Sequence, residues 1–240
     1  MGVSRHFPHR LRLLFEDAHC AVVEKDAGYL SCDIRGGSRP NALDALSDYF
    51  RRGVAKSRAR AWLVHRLDRD TSGVMVFAKS MEARDALQES WGSVEKIYFA
   101  ALSGVPAVRS GMLENWLSED GDFYVHCFDR PSPGAKVATL EYSVKAVCGR
   151  ARSLAAVRLH TGRKNQIRVQ FAGIGHPVLG DVKYGRGASD GARRLMLHAY
   201  SLSFTHPATG ERLSFQSPAP ADFGRMFPDA FDKSGRSLRA

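Results

Sequence analysis

The sequence predicts an α+β fold, on three observations. Short apolar runs bounded by polar and glycine residues recur along the chain, as strands do. Amphipathic stretches with capping residues stand between them at only a few places. Strands also follow one another in runs, which argues against a strictly alternating parallel fold. With 240 residues and 44% hydrophobic residues, the chain suits one large domain or two joined lobes. The boundaries predicted are a single domain over residues 1–232 and a disordered tail over 233–240.

In chain order, Leu11–Glu16 and Cys20–Lys25 read as a hairpin, followed by a turn at Asp26-Ala-Gly. Residues 31–40 hold Gly36, Gly37, Ser38 and Pro40 and should form a mobile loop. Asn41 can cap a helix to about Arg52, with Leu43, Leu46 and Phe50 on its apolar stripe and Gly53 ending it. Ala61–Val64 and Val74–Ala78 are apolar runs that should be strands. Between them lies His65-Arg-Leu-Asp-Arg-Asp-Thr-Ser-Gly73, a charged loop held by both. Ser80 can cap a helix from Met81 to Trp91. A strand around Tyr98 follows, then β pattern from Met112 to Val147, interrupted by the flexible Arg130-Pro-Ser-Pro-Gly. Ser153–Leu159 is a further strand, and Asn165 to Ala172 a short helix. Two strands, Arg194–Phe204 and Arg212–Phe215, and a helix over Pro220–Phe227 close the chain.

The formal net charge of +10 favours a polyanionic partner, RNA or DNA before an anionic membrane surface. It is uneven. Arg51, Arg52, Lys56, Arg58, Arg60, Arg66 and Arg69 face only Asp68 over that stretch. No apolar run approaches the roughly 20 residues of a spanning helix, and the N-terminus lacks the apolar core of a secretory leader. Cys20, Cys32, Cys127 and Cys148 form no CxxC pair, so reduced thiols in a cytoplasmic protein are expected rather than a zinc site.

On charge pattern alone, the 65–73 loop is most simply a solvated turn. Two further segments change that. One is Lys96-Ile-Tyr-Phe-Ala-Ala-Leu-Ser-Gly104. The other is Leu159-His-Thr-Gly-Arg-Lys-Asn-Gln-Ile-Arg168, followed by Gly175-His-Pro-Val-Leu-Gly-Asp181 and Tyr184-Gly185. With HRLDRDTSG, in this order and spacing, the chain from about Leu13 to Phe223 resembles the RluA-type RNA pseudouridine synthases.

The resemblance implies the pseudouridine synthase fold: one long, mostly antiparallel mixed sheet in two lobes, with a central catalytic cleft. It implies isomerisation of uridine to pseudouridine, which oxidises nothing and imports no group, so that no cofactor and no metal is expected. Asp68 takes the nucleophile position, and Arg168 is its implied counter-charge, an arginine fork suited to a carboxylate. Tyr98 would stack on the target uracil and act in proton transfer. Arg66 would reach into the RNA beside the extruded base. His65 is either an RNA contact or a hydrogen-bonded structural histidine. Leu197 would line the uracil pocket, or is simply core. Arg163 and Lys164, with Arg51, Arg52, Lys56, Arg58 and Arg60, complete the expected RNA-binding set.

Many relatives carry a small RNA-binding domain in front; this chain starts at the catalytic hairpin, so RNA affinity should come from the catalytic surface. Two departures from the family pattern stand out. Asp26 replaces a proline, from which a slightly looser turn is expected. Asn165 replaces a histidine, which leaves a second contact of the site open. The partner expected is RNA, ribosomal or transfer, with a monomer, no obligate protein partner and no membrane. The rival readings are a metal-dependent hydrolase using His65, Asp68 and Asp70, and a non-catalytic RNA-binding protein, with a membrane-surface protein last.

Overall fold

The computed structural model describes residues 7–33, 39–51, 54, 57–185, 187–232 and 234–237. It is α+β, with a large, mostly antiparallel sheet. No helix among the described residues is long and apolar enough to cross a membrane. The chain divides into two compact units, Met1–Val94 with Ser201–Ser217, and Glu95–Tyr200 with Pro218–Ala240.

In the first unit, β1 (Leu11–Glu16) and β2 (Cys20–Lys25) form the expected antiparallel hairpin, and β2 pairs with β4 (Ser72–Ala78) in the register Val22↔Val76. All seven residues of β4 are buried, because it is covered along both edges. The short β3 (Trp62–Leu63) joins its end, Trp62 opposite Ala78, so residues 64–71 return as a loop from β3 to β4. Further along, β10 (Leu197–Thr205) neighbours β4 and carries β11 (Arg212–Gln216) on its other edge. Val22, Val76, Ala78, Leu87 and Phe204 make the core of this unit.

Its helices follow their caps. Asn41 Oδ1 accepts from Asp44 N–H at the start of α1 (Ala42–Arg51). Ser80 Oγ accepts from Ala83 N–H at the start of α2 (Met81–Glu89). The latter stops short of the predicted Trp91. The Ser90 hydroxyl donates back to the Ala86 and Leu87 carbonyls, and a 3₁₀ turn over Ser90–Ser93 replaces the last helical turn.

In the second unit, β5 (Glu95–Ser103), β9 (Arg152–Leu159), β8 (Lys136–Cys148), β6 (Ser110–Glu119) and β7 (Val125–Phe128) lie side by side in that order, each pair antiparallel. Strand β8 starts at Lys136, where Leu117 pairs with it and extends the ladder. The helix α3 (Gln166–Gly173) buries Val169 against Leu117, Val125, Ala138 and Tyr184, and α4 (Ala221–Met226) follows late in the chain.

The Asp26 N–H, which proline lacks, donates to the Arg10 carbonyl at 3.1 Å. In the segment expected as tail, Arg236 O accepts from Asp232 N–H and Gly235 O accepts from Ala219 N–H. Residues 34–38 of the expected mobile loop lie outside the described residues, as do Arg52, Gly53 and Lys56.

Candidate active site

The 65–73 loop is fixed on either side of Asp68. On one side, Leu67 N–H donates to Ser31 Oγ at 3.0 Å, and the same hydroxyl donates to Leu67 O at 2.8 Å. On the other, Arg69 O accepts from Gly28 N–H at 2.9 Å and from Lys25 Nζ at 3.1 Å. Thr71 N–H closes a turn onto Asp68 O at 3.1 Å. Gly28 reaches the loop from a left-handed conformation, φ +78°. Asp68, half-buried, is thus held between two anchored neighbours.

Lys25 is the unexpected member. Its side chain is fully buried, and its ammonium donates to three carbonyls, Asp26 O at 2.9 Å, Tyr29 O at 2.7 Å and Arg69 O at 3.1 Å. Burial pulls its pKa down to about 7, against the pull of Asp70, Asp68 and Asp26 toward the charged form.

In the second unit, α3 presents Arg168 to a buried polar cage. Its Nε and Nη2 make a two-pronged pair with Asp181, at 2.7 and 2.8 Å, and its Nη1 donates to Asn165 Oδ1 at 3.0 Å. The Asp181 carboxylate has no solvent exposure and also accepts the Lys183 and Tyr184 N–H groups on Oδ1. Burial acts to raise its pKa, but these hydrogen bonds and the Arg168 charge outweigh that and hold it below the usual carboxylate range. Tyr184 lays its ring 5.2 Å from the Arg168 guanidinium carbon, and its hydroxyl accepts from Asn165 Nδ2 at 2.9 Å and Val125 N–H at 3.1 Å. Gly180, beside Asp181, is obligatory. At φ +72°, a Cβ there would sit 2.0 Å from the Arg194 carbonyl oxygen.

Tyr98 lies buried on β5 opposite Val157, and Leu197 is buried at the start of β10. His65 accepts Val76 N–H on Nε2 at 3.1 Å and packs 4.7 Å from the Trp91 ring. That is the hydrogen-bonded arrangement weighed above. Asp70, the third group of the metal-dependent rival, pairs with Arg69 at 2.9 and 3.0 Å. Arg66, Arg58 and Arg60 are exposed; the Arg60 guanidinium lies 3.8 Å over the Trp62 ring. Arg51, also exposed, pairs with Asp48. In the second unit Arg163 Nε donates to Val137 O, and Lys164 pairs with Glu119. Arg52 and Lys56 lie outside the described residues.

One cluster has the spacing of a metal site, Asp17, Cys20 and His206. Its hydrogen bonds assign it otherwise. His206 Nδ1 accepts two N–H groups, Ala208 at 3.3 Å and Thr209 at 3.0 Å, so its proton sits on Nε2 and goes to Asp17 Oδ2 at 2.7 Å. Burial pushes the Cys20 thiol up to about 12. The cluster clamps two turns and fits no metal.

Residues 19–173 match the RNA pseudouridylate synthase family. The chain belongs to that family. It is accordingly an RNA pseudouridine synthase, an isomerase of uridine in RNA. It is 32% identical to the dual-specificity RNA pseudouridine synthase RluA of Salmonella typhi over 93% of this chain and 100% of that one. It is 34% identical to ribosomal large subunit pseudouridine synthase D of Xanthomonas campestris, over 95% of this chain and 71% of the relative. Among solved structures, human RNA pseudouridylate synthase domain containing 4 superposes with a TM-score of 0.72 at 26% identity, covering 88% of this chain and 89% of the other. For an RNA pseudouridine synthase, the residues the sequence left without a role are Lys25, Ser31, Asp181 and Tyr184. Asp181 and Tyr184 stood within the motif; nothing in the sequence paired them with Arg168.

Proposed function

We propose that this pseudouridine synthase uses Asp68 as its nucleophile, with Arg168 as the second charged catalytic residue and Tyr98 as the aromatic surface for the target base. The observation that carries the assignment is the double anchoring of the loop, through Leu67 on one side and Arg69 on the other. A nucleophile must be held at a near-attack distance, and backbone ties on both neighbours do this without engaging the carboxylate itself.

The reaction breaks the bond from ribose carbon 1′ to uracil nitrogen 1, forms one from carbon 1′ to carbon 5, releases the carbon-5 proton and places a proton on nitrogen 1. Atoms and electrons balance without an oxidant or an imported group. The target base must leave its stack, and unpaired uridines cost less to extrude. The name of one relative, ribosomal large subunit pseudouridine synthase D, points to ribosomal RNA, and we assign this chain to ribosomal or transfer RNA, acting in the cytoplasm as a monomer. The exposed Arg58, Arg60 and Arg66 would carry phosphate contacts.

The deciding assay is release of tritium from carbon 5 of uridine in RNA, run with a chelator present. Asp68→Asn, nearly isosteric but uncharged, should bind RNA and release nothing, whereas Asp70→Asn should keep most of the rate. Full activity in Asp68→Asn, or wild-type activity lost with chelator, would overturn the assignment.

A further inference from the structure

We propose that Asn165 is a positioning residue for Arg168, and that it acts by tying the guanidinium to the Tyr184 hydroxyl. The inference rests on the catalytic role given to Arg168 above. Three observations carry it. First, the Asn165 amide uses both of its ends. Oδ1 accepts from Arg168 Nη1 at 3.0 Å while Nδ2 donates to the Tyr184 hydroxyl at 2.9 Å. Second, the bridge closes a ring of contacts, because the Tyr184 ring itself lies 5.2 Å from the Arg168 guanidinium carbon. Third, Asn165 stands in the left-handed region, φ 53° and ψ 20°, immediately before α3, with only 9% exposure. Few side chains other than glycine take that conformation readily, and asparagine is one of them.

The choice of an amide has an electrostatic consequence. Asp181 already balances the Arg168 charge as a fully buried anion. A neutral bridge adds a hydrogen bond and changes no charge, so the guanidinium is aimed without a second cation beside it. The partner of Nη1 has to be an acceptor, and Tyr184, which accepts Val125 N–H from β7 on one lone pair, can take a donor on the other. Asparagine meets both demands with one planar group. The amide thereby couples Arg168 on α3 to the backbone of β7 through a single tyrosine oxygen.

The test is steady-state kinetics of tritium release from RNA labelled at uridine carbon 5 and prepared from cells lacking this gene. Asn165→Gly keeps the left-handed backbone and removes only the amide. It should fold, with kcat lowered roughly tenfold or more, the value of a hydrogen bond to a charged group, and KM for RNA unchanged. In an Arg168→Lys background, where the fork is already lost, the same change should cost little further. Tyr184→Phe removes the far end of the bridge together with the acceptor for Val125 N–H, and should lower kcat by a smaller factor with the same unchanged KM. The inference is overturned if Asn165→Gly and Tyr184→Phe both turn over at the wild-type kcat, or if the Asn165→Gly loss multiplies in full on Arg168→Lys. It is likewise overturned if the loss falls on KM alone. A wild-type enzyme that releases no tritium would instead remove the catalytic reading on which this inference stands.

Discussion

Replacing Lys25 by Met separates two effects that oppose each other in this site. The buried ammonium gives three hydrogen bonds, and each is worth about 1 kcal/mol net, or more where a carbonyl is left unmatched. Against that stands the cost of holding the charge away from water, which takes the pKa from 10.5 to about 7. The folded value lies below the unfolded one. Between about pH 7 and 10.5 the unfolded chain therefore binds a proton that the folded chain has released, and stability from this group rises with pH across that window. Linkage puts the charge penalty at roughly 5 kcal/mol at pH 6 and roughly 2 kcal/mol at pH 9. Lys25→Met carries neither penalty. Near pH 6 the relieved charge and the missing bonds should nearly cancel, leaving the variant within about 2 kcal/mol of wild type. From pH 6 to pH 9 the gap should move by about 3 kcal/mol in favour of wild type. Urea denaturation of both proteins at the two pH values measures it. Activity should behave differently, because Arg69 O loses an anchor at every pH. We expect kcat at pH 7 to fall roughly tenfold or more from misplacement of Asp68. A stability gap that does not change with pH refutes the electrostatic argument, and a wild-type kcat refutes the anchoring argument.

Two further outcomes follow from the geometry. Arg58 and Arg60 are exposed and lead toward the 65–73 loop, so replacing both by Ser should weaken RNA binding and flatten its log–log salt dependence by roughly 0.7 for each single-strand phosphate no longer neutralised; unchanged affinity and slope in filter binding would remove them from the proposed interface. Gly180→Ala must displace backbone, since its Cβ would stand 2.0 Å from Arg194 O. A destabilisation above about 2 kcal/mol is expected, and an unchanged denaturation midpoint would contradict it.

What could be read ahead of the structure was local. Asn41 and Ser80 announce their helices because the capping bond spans three residues, Asn41 to Asp44 N–H and Ser80 to Ala83 N–H. The β1–β2 hairpin and buried β4 are visible as apolar runs, and the loop between β3 and β4 as their interruption. Boundaries slipped where a side chain overrode the pattern, as when Ser90 ended α2 two residues early. The site was legible only as a set of motif residues. Its supports are bonds across long separations, Ser31 to Leu67 and Lys25 to Arg69, and no periodicity encodes those. A buried lysine is the harder case, since composition places lysine on the surface. Asp181 was equally hidden, because a carboxylate thirteen residues beyond Arg168 looks like a turn residue until the chain brings the two together.

The Asp68 loop and the Arg168 cage share one device. The reactive group is fixed through its neighbours by buried polar side chains whose own valences are filled. Ser31 fills both backbone groups of Leu67, and Lys25 and Gly28 both meet the Arg69 carbonyl. Asp181 and Asn165 do the same for Arg168. Burying Asp181 with Arg168 would cost more than the pair returns if the pair stood alone. Here the carboxylate accepts two backbone N–H groups as well, from Lys183 and Tyr184, and these offset part of its missing hydration. The energy goes into direction rather than stability. A guanidinium held at Nε, Nη1 and Nη2 has one orientation, and a carboxylate whose loop is tied at both adjacent residues has few. Catalysis by a weak nucleophile depends on such fixed geometry more than on raw reactivity. For that reason the substitutions that matter most in this chain should include residues that never touch RNA.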